Sequence, residues 1–333
     1  MRTASRRHAI ATSAGRLRRA GHGGAGKAAG AALALVVAVL ICGCAGAGEA
    51  ATAGGKILAV GAENQYANVI EQVGGRYVKV SAVESNPNTD PHTFEASPSV
   101  AETVAAAGLV VQNGVGYDAF MEKIESASGG VGSNASRKVI DVQKLLGLSN
   151  TTRNPHLWYK PQTMPAVARA VAGDLSALQP AHAAYFKANA AAFERSLAPW
   201  YRALEQFASE YPGAPVATTE PVGDYMLEAA GTLNLTPFSL QADIMNGIDP
   251  APQDVSTQDV LLTGHEVKAF VYNQQVTDSL TQSFLGAAKR AGVPVVGVYE
   301  TMPTPGYDYQ SWMLAEVRAL RRAVAEGIST EKL

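Results

Sequence analysis

Twice along this chain a series of short apolar runs alternates with amphipathic helical patterns, and that alternation limits the fold more than any other feature. In the first series Ile57–Val60, Val78–Val83, Leu109–Val111 and Val139–Ile140 read as strands. Helical stretches through Val69 and Ile70, from Ser99 to Ala107 and from Ala119 to Ile124 lie between them. The pattern restarts after Pro212, with strands expected at Pro215–Thr218, Pro237–Leu240, Ala269–Tyr272 and Val293–Val298. Here the helices are expected at Gly223–Ala230, Thr257–His265, Leu280–Ala291 and Ser311–Ala325. Strands alternating with helices build parallel, doubly wound sheets, because each crossover must carry the chain back over a sheet face. The chain therefore predicts two α/β lobes, over 56–179 and 212–333.

What joins the lobes is also legible. From Pro180 to Tyr211 there is no turn cluster, and Phe186, Phe193, Leu197, Trp200 or Tyr201, Leu204 and Phe207 recur at helical spacing. One long linking helix over 180–211 is expected, kinked where Pro199 removes a backbone donor. Lobes pinned by such a stiff element suit a small, preformed site between them.

The N-terminus has another character. The first 43 residues carry seven Arg or Lys and no acidic residue, and end in an apolar run from Ala31 to Cys42. That is the profile of an export signal. The run closes on Ile41-Cys42-Gly43-Cys44 and a Gly/Ala-rich stretch, which resembles a bacterial lipobox. Residues 1–43 are thus expected to be a signal peptide, Cys44 the lipidated residue, and 44–55 a flexible tether. The protein would be extracytoplasmic and lipid-anchored to the cell membrane. A basic segment this long also fits a translation start downstream of Met1.

Seven of the 27 Lys and Arg precede Cys44 and none of the 29 Asp and Glu do, so the remainder carries a formal charge of −9. Such a surface is a poor partner for nucleic acid. Cys44 would be the sole remaining cysteine, which excludes an internal disulfide and any thiolate metal site. A metal would have to be held by histidines and carboxylates.

Only four histidines lie beyond the signal: His92, His156, His182 and His265. Two of them sit in matching settings, Asp90-Pro91-His92 and Asn154-Pro155-His156, where proline stiffens the backbone just before the imidazole. A lone loop histidine is usually a solvated side chain; two matching Pro-His loops point to ligands. His182, opening the long helix, and His265, beside Glu266, read as solvated or capping residues.

These two motifs, in this order, followed by a long helix and a second α/β lobe, resemble the metal-binding proteins of zinc and manganese ABC importers, the cluster A-I solute-binding family. The resemblance covers about Lys56 to Gly327. It implies a third ligand just after the first strand of the second lobe, where Ala217-Thr218-Thr219-Glu220 puts Glu220. A fourth ligand is implied after the strand preceding the last helix, where Val295 to Glu300 puts Glu300. Asp308 and Asp243 are the fallback carboxylates. All these residues could also serve plain structural ends, as helix caps or loop residues.

The expected ligand is one divalent transition metal ion, held by His92, His156, Glu220 and Glu300 as transported cargo. Two carboxylates beside two imidazoles, and no His-rich loop between His92 and His156, tilt toward Mn²⁺, with Zn²⁺ a close rival and Fe²⁺ a further option. The resemblance implies an ABC permease with its ATPase as partner, a monomeric protein and no enzymatic activity. The competing readings are an exported metallohydrolase, which would need an open coordination position and a separate general base, and an adhesive surface lipoprotein whose metal only stabilises the fold.

Overall fold

The computed structural model describes residues 52–127 and 137–333. The first lobe contains β1 (Thr52–Ala53), β2 (Lys56–Glu63), α1 (Asn64–Gly74), β3 (Val78–Glu84), α2 (Pro98–Ala106), β4 (Leu109–Gln112), α3 (Ala119–Ala127), β5 (Lys138–Asp141), α4 (Val142–Leu145) and α5 (Thr163–Leu178). Next come α6 (Ala183–Ser196) and α7 (Ala198–Glu210). The second lobe adds β6 (Pro215–Thr218), α8 (Asp224–Ala229), β7 (Leu233–Asn234), α9 (Phe238–Met245), α10 (Pro252–Thr263), β8 (Ala269–Asn273), α11 (Ser279–Ala291), β9 (Val295–Val298) and α12 (Tyr309–Glu326).

The two expected α/β lobes are present, and their parallel strands run in the same order: β3-β2-β4-β5 and β7-β6-β8-β9. In each, the first strand of the series lies between the second and third, so crossovers leave it in opposite directions. The loops beyond the strand carboxyl ends diverge there and open a crevice.

The strands follow from their composition. β4, β8 and β9 are buried along their whole length, as continuous apolar runs between two helical layers must be. α11 and α12 start on capping boxes, Asp278 with Thr281 and Asp308 with Ser311, and stop at Gly292 and Gly327, whose φ values of 72° and 67° favour glycine.

Three expectations need correction. The long linker is two helices, α6 and α7, meeting at Leu197, and a 3-10 turn over Pro180–His182 precedes them. Pro199 lies in the first turn of α7, where a missing N–H costs little, so the chain restarts a helix there instead of carrying a kinked one through. The strand expected at Pro237–Leu240 is instead the start of α9: a short apolar run cannot distinguish strand from helix, and Leu240 and Ile244 are buried at helical spacing. The edge strand is the two-residue β7. Finally, the tether ends before residue 55. Thr52 and Ala53 pair antiparallel with Ile57 and Lys56, and Gly54 and Gly55, at φ 57° and 79°, make the turn. The signal, the lipobox with Cys44 and residues 44–51 lie outside the described residues.

The largest apolar cluster spans both lobes. It joins Ile57, Val69 and Trp158 of the first to Phe186 and Trp200 of the connecting helices and Val298, Tyr309 and Trp312 of the second. Smaller clusters cover the far face of each sheet, around Val60 and Val110 in one and Phe270 and Phe284 in the other. The lobes thus share one core rather than meeting as two finished domains. Hydrogen bonds add to this: Asn64 both donates to the Met302 carbonyl and accepts from its N–H, each at 2.9 Å, and Tyr309 donates to the Trp158 carbonyl at 2.6 Å. No helix among the described residues is long and apolar enough to cross a membrane.

Candidate metal centre

His92 lies in the loop after β3. Asp90 Oδ1 accepts its backbone N–H at 2.8 Å, and Pro91 opens the short 3-10 turn that carries it. The ring is therefore presented from a stiffened turn. His156 is held more tightly still. Asn154 Oδ1 accepts its backbone N–H at 3.0 Å and lies 2.8 Å from Nδ1, while the Asn154 amide donates to the Pro221 carbonyl at 2.7 Å. These contacts orient the amide with its oxygen toward the ring, so Nδ1 carries the proton and Nε2 offers its lone pair.

Glu300, two residues beyond β9, is fully buried. Its Oε2 is 3.1 Å from His92 Nε2, 3.2 Å from His156 Nε2 and 2.9 Å from the Tyr117 hydroxyl, which donates to it. Its Oε1 accepts from Asn273 Nδ2 at 2.8 Å. His92, His156 and Glu300 each present one ligand atom within 4.8 Å of the others. Nitrogen and oxygen ligands at tetrahedral bond lengths stand roughly 3.3 Å apart, close to both observed histidine–carboxylate separations.

Glu220 follows β6 by two residues and is 2% exposed. It stands beside the cluster of three but outside it: Asn273 Nδ2, which serves Glu300, lies 3.3 Å from Glu220 Oε2, and Glu220 Oε1 has no partner. Asp308 caps α12, and Asp243 lies in α9; neither joins the cluster. His182 stacks on Tyr77 with ring centroids 3.7 Å apart, and His265 follows α10 at φ 56°.

The electrostatics divide these groups. Burial pushes the Glu300 carboxyl upward, but His92 and His156 outweigh it and hold it well below the usual carboxylate range. Burial raises Glu220 well above its ordinary value, and the neighbouring charge of Glu300 adds to this, so both favour its protonated form. Burial lowers His156 and keeps it neutral, while for His92 the same penalty is overcome by Glu300 and Asp90. With its proton on Nδ1, His156 turns Nε2 toward Glu300 Oε2, as His92 does from the other side. Two ring nitrogens and a carboxylate oxygen converging in a buried site are a donor set that suits a cation. The unpartnered Glu220 Oε1 fits the same requirement.

Three supporting residues were not anticipated. Tyr117 follows β4, Asn273 ends β8, and Gln275 accepts from the N–H groups of Glu300 and Thr301 at 2.7 and 2.8 Å while donating to the Thr89 carbonyl across the cleft at 2.7 Å. A polar Asn closing the apolar run Ala269–Tyr272 was the available sign for Asn273.

Two parallel-sheet lobes on a common helical core, with a histidine–carboxylate cluster in the crevice, define a metal-ion substrate-binding protein of ABC importers, cluster A-I. The chain belongs to the family described as zinc-uptake complex component A, periplasmic (ZnuA), which matches residues 60–323. The manganese-binding lipoprotein MntA of Bacillus subtilis (strain 168) is 24% identical over 238 residues, covering 69% of this chain and 74% of that protein. Among solved structures, the periplasmic zinc binding protein TroA from Treponema pallidum superposes with a TM-score of 0.67 at 17% identity, over 83% of this chain and 100% of that one. The Mn-bound periplasmic metal binding protein from Candidatus Liberibacter asiaticus gives 0.64 at 16% identity, over 81% and 100%. At these identities the structures establish the fold.

Proposed function

We propose that this protein binds one divalent transition metal ion outside the cytoplasm through His92, His156, Glu220 and Glu300 and delivers it to the permease of an ABC importer. The observation that carries the reading is the convergence of His92 Nε2 and His156 Nε2 on Glu300 Oε2, at 3.1 and 3.2 Å, in a buried site, which puts three ligand atoms within reach of one cation. Glu220 completes the shell by giving up its proton when the ion arrives.

Manganese is the favoured cargo, with zinc a close rival and Fe²⁺ third. Two carboxylates that can each bind through both oxygens suit the higher coordination numbers of Mn²⁺. The Bacillus relative is named as manganese-binding and the Treponema neighbour as zinc-binding, so both remain in the reading. The Bacillus relative is also a lipoprotein, which supports lipid attachment at Cys44. The protein acts as a monomer on the membrane surface.

The test is metal analysis of the mature protein with competition titrations of Mn²⁺, Zn²⁺ and Fe²⁺. One ion per chain, bound reversibly to a protein that stays folded without it, is expected. His92→Ala and Glu300→Ala should each weaken binding at least about a hundredfold, the loss of one charged or nitrogen ligand being worth several kcal/mol. Wild-type stoichiometry and affinity in both variants would remove the site.

A further inference from the structure

Of the four proposed ligands only His92 meets solvent appreciably. Its side chain is 23% exposed, against 0% for His156 and Glu300, and Glu220 is 2% exposed. His92 opens into a cavity of about 440 Å³ between the lobes, bounded by Asp90, His92 and Thr93 on one side and by residues 244–247 and 276–278 on the other. A second cavity of about 250 Å³ shares the Asp90 turn, with Val83, Glu84, Ser85 and Thr301 among its walls, but none of the four proposed ligands lines it.

We propose that metal ions reach and leave the centre through the 440 Å³ cavity, that His92 is the first ligand engaged and the last released, and that Asp90 and Asp278 at its mouth draw the cation in. This rests on the metal-binding function proposed above and adds the route and the order of ligand exchange. Both mouth residues are carboxylates with fixed backbones: Asp90 Oδ1 holds the His92 N–H, and Asp278 Oδ1 holds the Thr281 N–H at the start of α11. No Lys or Arg lines the cavity. An acidic mouth raises the local concentration of a cation and speeds its capture. An ion entering here meets the partly exposed His92 before the buried Glu300, whose Oε2 lies 3.1 Å from His92 Nε2, and before the buried His156 and Glu220.

A route differs from a ligand in what its obstruction does. Narrowing a passage changes neither the free nor the bound state, so association and dissociation slow by one factor and Kd stays constant. Removing a ligand changes Kd.

The experiment is stopped-flow binding and chelator-driven release of Mn²⁺ and of Zn²⁺ on the mature protein. Thr277→Trp, at an exposed position of the cavity wall, should lower both rate constants together by about tenfold or more, with Kd unchanged. Asn246→Trp narrows the same cavity from the end of α9 and gives an independent obstruction should one variant fail to fold. Ser85→Trp, in the smaller cavity, should leave both rates at wild-type values. Asp278→Asn keeps a good helix cap and should slow association about two- to fivefold at low ionic strength, the difference closing in high salt. Wild-type rates in both cavity-narrowing variants, slowing by Ser85→Trp instead, or an effect residing entirely in Kd would each overturn the route. Wild-type protein that takes up neither metal would overturn the proposed function itself, a result distinct from metal binding with rates indifferent to Thr277→Trp.

Discussion

His156 and Asn154 form a closed pair: the imidazole Nδ1 lies 2.8 Å from the amide oxygen, and that amide is itself anchored 2.7 Å from the Pro221 carbonyl of the opposite lobe. The pair sets which ring nitrogen faces the centre and ties that choice to the approach of the two lobes. Removing the anchor should cost affinity without removing a ligand. Asn154→Ala is expected to weaken metal binding about 10–100-fold, the usual range for partners that orient a ligand. Competition titration checks this, and wild-type affinity in the variant would refute the tautomer argument.

Glu220 predicts a proton count. Its folded-state pKa is raised by burial and then by Glu300. The sign follows: the stability associated with its protonation is fully present below the unfolded value and is lost as pH rises through the folded one. The metal-free protein should therefore soften as pH climbs, and metal binding should strengthen, because the ion displaces the proton. Calorimetry in buffers of different ionisation enthalpy should show Glu220→Gln releasing about one proton fewer than wild type near pH 7. Equal proton release would sink the assignment.

Away from the centre, Glu316 makes an independent pH test. On the buried face of α12, it accepts from Trp312 Nε1 at 2.6 Å and lies 2.8 Å from the Tyr159 hydroxyl, and burial pushes its pKa up to about 8. Stability should decline as pH rises from about 4.5 and level off above about 8. Glu316→Gln should remove that slope and gain about 2–4 kcal/mol at pH 9. Urea denaturation from pH 5 to 9 reads it; identical slopes in variant and wild type would contradict the prediction.

Gln275 is the third kind of test, a cross-cleft strut. Its amide oxygen serves two N–H groups at Glu300 and Thr301, and its nitrogen reaches Thr89. Gln275→Ala leaves buried donors unpaired, which should cost about 1–3 kcal/mol of stability. Metal dissociation should accelerate about tenfold as Glu300 loses its fixed position. A variant with lowered melting temperature but unchanged dissociation would confine Gln275 to a structural role.

Much of this was written in the sequence, for identifiable reasons. The two Pro-His motifs are local: proline and the preceding Asx residue build the presenting turn within a few residues, and both rings reach one centre. Glu300 and Glu220 came from the family resemblance, supported by their place just past apolar strands, but the position of Glu220 beside the cluster of three depends on how β6 and β8 pair and on Asn273 standing between two carboxylates. No local signal encodes that. Pro237–Leu240 failed where apolar runs are shortest, and α5 was overlooked although Met164, Val167, Ala168, Val171, Ala172 and Leu175 bury one helical face. The restart at Leu197 reflects the tertiary environment as well: α6 packs on α1 and α5, whereas α7 packs on α12, so the linker's two halves belong to different lobes.

The core shared between lobes and the reciprocal Asn64–Met302 bonds have a consequence for any partner that must sort cargo-bearing molecules from empty ones. An outline stitched together independently of the ion offers little contrast in silhouette. On the proposed loading, what changes is the charge at the crevice, which rises by one unit as two positive charges enter an acidic recess and Glu220 surrenders its proton. Discrimination then falls to a charge-reading surface on the partner, which makes ionic strength, more than steric fit, the variable that tunes it.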